Sequence, residues 1–166
     1  MLFEEREGRS KELTTLAVQL IERQYDRARQ GEIPEEAAQE LALEALRAFR
    51  YGRQGRDYFW VSTYEPVLLM HPYRTELQGK NVSDFTDVEG TRLFQRMVDI
   101  VEEKGAGYLD YQWQLHGDET QILPKRSYVR GFEPWRWIVG TGIYIGETEA
   151  MVRRLSRPIA VVSMLS

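Results

Sequence analysis

The chain has 166 residues, 42% of them hydrophobic and 29% charged, which suits one folded domain with a core of its own. A net charge of −4 without a dense Lys/Arg run excludes phosphate-neutralising nucleic-acid binding. The absence of cysteine excludes thiol catalysis, thiolate metal sites and disulfides.

Apolar residues Leu13, Leu16, Ala17, Leu20 and Ile21 recur at steps of three and four, the signature of one helix face, and the pattern continues through Tyr25 and Ala28. "GEIP" at 31–34 punctuates it, with Pro34 suited to a first helical turn. A second helix follows, carrying Ala38, Leu41, Ala42, Ala45 and Phe49 on one side until "YGRQG" at 51–55 ends it. From Asp57 the texture changes. Residues 58–63 and 67–72 read as two strands of a hairpin turning at Tyr64-Glu65-Pro66. "LQGKNVSDFTDVEG" is loop, and 91–103 is helical again, with Leu93, Phe94, Met97, Val98 and Val101 facing inward. Three strands are expected at 107–115, 123–130 and 136–145. In the first, Leu109, Tyr111, Trp113 and Leu115 alternate with Asp110, Gln112 and Gln114. Consecutive strands on short turns make an antiparallel sheet, so the class is α+β.

No run approaches the ~18 apolar residues of a membrane span. The tail "RRLSRPIAVVSMLS" turns apolar after two arginines and reads either as an ordinary last element or as a membrane-proximal segment, with the second favoured. The organisation expected is a helical segment at 1–56 for dimerisation or connection, a sheet domain at 57–150, and a C-terminal segment at 151–166.

Candidate binding residues cluster around "DYFWV" and "MHPY". Tyr58, Trp60 and Ser62 share one strand face, and Phe59 and Val61 the other. Tyr58 and Trp60 carry a polar tip each, which suits a cavity lining better than Phe59. His71 and Leu69 are expected opposite Met70. A neutral His71 can donate to an anion, and a protonated one adds charge and pH dependence near ~6.5. By residue type Lys125 reads first as a solvated edge-strand lysine. Tyr111 and Trp113 read equally as cavity or as core against the helix at 91–103. His116 sits in a polar turn and receives no role. "GTGIYIG" lacks the spacing and position of a dinucleotide fingerprint, and Gly140 and Gly142 instead suggest close approach of a neighbour. A catalytic reading finds no nucleophile motif, and His71 and His116 lack neighbours at metal-ligand spacing. No cofactor is expected.

The ordered set "RYG", "DYFWV", "MHPY", "L-x-GK-x-VSDF-x-D-x-xG", "GYLDYQW", "PKRSYV" and "PWRWIVGTGIYI" resembles the single Cache domain family, second subtype, from about Lys11 to Glu147. These are extracytoplasmic sensor domains of bacterial chemoreceptors and sensor kinases. One departure is Ser62-Thr63-Tyr64 where the family usually carries an Asp. The resemblance implies a PAS-like fold, with a long N-terminal helix and a central five-stranded antiparallel sheet. It implies a pocket for a short organic acid such as acetate, propionate, pyruvate or lactate. It makes Lys125 the ligand's cation; Tyr128, close to it in sequence, is expected beside it, and Tyr58, Trp60, Met70, His71, Tyr111 and Trp113 are the candidate surrounding residues. It also implies a membrane-anchored parent receptor and a periplasmic location, and the amphipathic N-terminal helix suggests a homodimer through it. The alternatives are a ligand-free dimerisation module and a sensor for a different small molecule.

Overall fold

The computed structural model describes residues 3–145. The helices are α1 (Phe3–Arg29), α2 (Glu35–Ala48) and α3 (Leu93–Lys104). The strands are β1 (Arg50–Tyr51), β2 (Asp57–Tyr58), β3 (Trp60–Thr63), β4 (Leu68–Met70), β5 (Ala106–Leu115), β6 (Asp118–Phe132) and β7 (Trp137–Tyr144). β1 and β2 form a small antiparallel ribbon. The other five form one antiparallel sheet in the order β4-β3-β7-β6-β5. The expected architecture, a long N-terminal helix and a central five-stranded antiparallel sheet, is the one found. The tail at 151–166 lies outside the described residues.

The sheet is sandwiched. One face packs on α1 and α2 through Ala17, Ile21, Ala38, Ala42, Leu46, Phe59, Val61 and Val139. The other packs under α3 and the 71–92 loop through Tyr58, Trp60, Leu93, Phe94, Met97, Tyr111, Trp113 and Val129. Small residues on α1 and α2 let both helices approach closely. On α1 the innermost stripe is Ser10, Thr14, Ala17 and Ile21, so Leu16 is turned outward and 58% exposed. Thr14 tolerates burial because its hydroxyl donates to the Lys11 carbonyl at 2.9 Å. On α2 the buried stripe is Ala38, Ala42 and Leu46, a strict four-residue step that leaves Leu41 and Phe49 partly exposed. The expected inward face of α3 is the one observed, and Gly105, at φ 78°, ends that helix in the left-handed conformation that glycine adopts freely.

β4 departs from simple alternation. Its register with β3 shifts between Val61 and Ser62, so Leu68 faces the α3 side while Leu69 and Met70 both pack toward α1 and α2. That irregularity turns Met70 away from His71, which follows the strand's end. At the sheet's centre Gly140 does what its position suggested: a Cβ there would collide with the Trp60 indole, which lies against the β7 backbone.

Candidate ligand cavity

Lys125 is the centre of the site. It lies mid-strand on β6, 2% exposed, opposite Tyr111 of β5 and Tyr144 of β7. Its Nζ donates to the Tyr58 hydroxyl at 3.1 Å and stands 4.6 Å from the Tyr58 ring centroid, 5.1 Å from that of Trp60 and 5.7 Å from that of Tyr144. Facing π-systems partly stabilise a desolvated ammonium. Burial nevertheless pulls its pKa down to about 7, with Asp57 acting weakly the other way.

Tyr58 reaches the cavity from β2. Its hydroxyl accepts from Lys125 and, at 3.0 Å, from the Trp113 indole N–H. With two donors already aimed at its oxygen, its own proton must point elsewhere. Burial drives its pKa far upward, so it remains a neutral phenol and a donor. His71 sits with its ring 4.9 Å from Tyr58 and 5.7 Å from Trp113, and is stacked at 6.5 Å on Trp60. Its Nδ1 accepts from the backbone N–H groups of Tyr73 (3.1 Å) and Arg74 (3.0 Å), which places the proton on Nε2. Burial, reinforced by Lys125, Arg74 and Arg50, holds its pKa well below 6.5, so the imidazole is neutral. The Trp60 indole N–H is buried with no acceptor among the described residues. Tyr111, on the same side, spends its hydroxyl on Ser127 Oγ at 2.8 Å.

These groups enclose a cavity lined by Tyr58, Trp60, His71, Leu93, Phe94, Met97, Tyr111 and Trp113. Its unfilled space is ≈ 170 Å³ and is nowhere wide enough to seat the centre of a water-sized sphere. One side is lined with donors. The other is apolar, supplied by Leu93, Phe94 and Met97 of α3. Sequence periodicity places those three on an inward helix face but carries no signal that distinguishes cavity lining from ordinary core.

Of the eight residues singled out in the sequence, five line this cavity, Tyr58, Trp60, His71, Tyr111 and Trp113, and a sixth, Lys125, stands behind it on the Tyr58 hydroxyl. Two do neither. Met70 packs among the α1/α2-side core, as the β4 register shift dictates. Tyr128 lies on the opposite sheet face from Lys125, because residues three apart on a strand point to opposite sides. It packs edge-on against Tyr108 at 4.6 Å, and Tyr108 in turn donates to the Glu7 carbonyl of α1 at 3.2 Å. The phenol beside Lys125 is Tyr58 instead, 67 residues away in sequence. His116 also has a structural place, its Nε2 lying 3.4 Å from Asp57 Oδ1. Among the described residues no group of three or more His, Cys, Asp or Glu could hold a metal, and no helix is long and apolar enough to cross a membrane.

Residues 2–157 match the family described as Single Cache domain 2. The methyl-accepting chemotaxis protein McpP of Pseudomonas putida is 34% identical over 134 residues, 81% of this chain and 24% of McpP. The sensor histidine kinase MctS of Rhizobium johnstonii is 32% identical over 149 residues, 90% of this chain and 31% of MctS. The chain thus spans a quarter to a third of the length of these relatives. Among solved structures, a periplasmic sensor domain of a chemotaxis protein superposes with a TM-score of 0.83 at 41% identity, covering 87% of this chain and 98% of that one. A second structure, described as the structural basis for carboxylic acid recognition by a Cache chemosensory domain, gives 0.81 at 33% identity, covering 86% and 95%.

Proposed function

The chain belongs to the Single Cache domain 2 family of extracytoplasmic sensor domains, and from that premise we propose that its cavity senses a small monocarboxylate of two to four carbons. One observation carries the proposal. The cavity's lining brings the Tyr58 O–H, the His71 Nε2–H and the unpartnered Trp60 indole N–H and no carboxylate, with the Lys125 ammonium directly behind, bonded to the Tyr58 hydroxyl. Such a set is costly to bury on its own and is complemented by an anion, through charge-assisted bonds. The apolar end against Leu93, Phe94 and Met97 suits a short alkyl tail. The relative described for carboxylic acid recognition supports the same chemistry.

The narrowness of the space supplies the signal. An acid can enter only by displacing the side chains that close it, so binding and rearrangement are one event. The acid then favours the arrangement it fits, by as much as its affinity for the two differs. We propose that a membrane-anchored receptor, of the chemotaxis or histidine-kinase kind, carries the shift onward, with a second copy of the domain docked along the outward stripe of α1 at Leu16. Affinity has a ceiling: at about −1.5 kcal/mol per heavy atom, acetate gains at most about −6 kcal/mol, or tens of micromolar.

The test is calorimetry and thermal shift with acetate, propionate, pyruvate, lactate and butyrate, each paired with its neutral amide. Binding by one or two acids and by none of the amides is expected. Equal binding by acid and amide would remove the anion from the argument, and no binding by any acid would remove the ligand class.

A further inference from the structure

Trp113 faces two spaces. Its inner side lines the cavity, and its outer side lines a surface groove of ≈ 140 Å³ on the α3 side of β5. No other residue lines both of these two spaces. The sheet lies below the cavity, and the buried stripe of α3 and the 71–92 loop lie above it. Displacing this one indole would join the two spaces.

The indole is held from both sides. Inside, its N–H donates to Tyr58. Outside, the Arg74 guanidinium lies 5.5 Å from the ring centroids of both Trp113 and Phe85. That guanidinium is itself fixed: Nε faces Glu76 at 2.6 Å and Glu119 at 3.3 Å, and the NH1 nitrogen donates to Gln114 at 3.3 Å. Glu119 lies on β6 and Gln114 on β5, so the clamp ties the 71–92 loop to the edge of the sheet. The Arg74 backbone N–H also donates to His71 Nδ1, which orients the cavity's imidazole. The Arg74 side chain thus packs on the indole and its backbone N–H holds the histidine, and both rings line the cavity.

We propose that the groove is the ligand's route into the cavity and that Arg74 is a positioning residue that latches Trp113 across it. The proposal rests on the carboxylate reading for its ligand but not for its geometry. Truncating the Arg74 side chain releases the latch and keeps the backbone N–H that holds His71, so the barrier falls in both directions. Rates therefore change and affinity does not.

Two measurements on Arg74→Ala and wild type test it. In protein carrying 5-fluorotryptophan, the Trp113 fluorine resonance, assigned through Trp113→Phe, is expected to shift or broaden in Arg74→Ala while those of Trp135 and Trp137 stay fixed. In stopped flow with the best-binding acid, association and dissociation are each expected to accelerate about tenfold, with Kd within twofold of wild type. Arg74→Lys, which keeps a cation over the rings but loses the planar fork, should fall between. An unchanged Trp113 resonance overturns the latch. Unchanged rates overturn the route. A weakened Kd with unchanged association assigns Arg74 to holding the ligand instead. If wild type binds no acid, the carboxylate reading fails alone, and the latch is decided by the fluorine resonance.

Discussion

The two faces of the sheet are built from alternate residues of the same strands, yet they solve opposite problems. Toward α1 and α2, Phe59, Val61 and Val139 meet Ala17, Ile21, Ala42 and Leu46, an apolar contact with little polar content. Toward α3, their neighbours Tyr58, Trp60 and, from β6, Lys125 form a buried polar cluster with more donors than acceptors. The first face lowers the free energy of the fold. The second is core as well, but the polar cluster within it costs free energy that an acceptor from outside would recover. On this account stability and recognition are divided by strand parity, so a substitution should affect one or the other according to the face it occupies.

The largest effects should come from the two centres of that division. Lys125→Met keeps the chain's volume and removes the charge. It is expected to weaken acid binding by about 3 kcal/mol, more than a hundredfold. The same substitution should stabilise the free domain by about 1–2 kcal/mol, because a buried cation without a formed ion pair is replaced by an apolar side chain. A calorimetric Kd beside a melting curve reads both. A loss of stability with loss of binding would mean that Lys125 serves the fold.

Leu46→Ala is the mirror image. The residue is 1% exposed on the α2 side, and truncation should cost about 2–5 kcal/mol of unfolding free energy, read by urea denaturation. Acid affinity in the surviving folded protein should stay within twofold. A large change in affinity would show that the two faces are not separable.

The smallest expected effect is the pH dependence, which sharpens the assignment of charge. Lys125 has its pKa lowered to about 7 by burial, and the proposed function requires its ammonium form. Affinity should therefore fall as pH rises through 7, about tenfold between pH 6 and pH 8. Because the unfolded lysine holds its proton to a much higher pH, stability of the free domain should rise over the same interval, the opposite sign. His71 contributes no step near 6.5, since burial and the neighbouring cations keep it neutral well below that. An affinity that instead rises from pH 6 to 8 would return the titration to some other group.

The helices and strands were legible in the chain because hydrophobic periodicity is local: α3 carries its buried residues where the three- and four-residue steps put them, and β5 alternates as written. So were the residue types of the site, since a tyrosine, a tryptophan, a histidine and a lysine in apolar strands each have a polar atom to place. Less was legible in Leu16 and Leu41, where the apolar stripe is wider than the contact and the chain does not say which edge of it meets the sheet. Met70 was misplaced by a register shift that follows from pairing with β3, and Tyr128 by nearness in sequence standing in for nearness in space.

By itself, then, the sequence determined the α+β class, the order of elements, and a short list of side chains that could meet a small anion. Only the tertiary structure decided which sheet face holds them, that Tyr58 rather than Tyr128 partners Lys125, and that α3 closes the apolar end. The physical reason is that a strand's two-residue period defines two faces without saying which is inside. That choice is made by contacts such as Trp113 to Tyr58, 55 residues apart, which exist only once the sheet has formed.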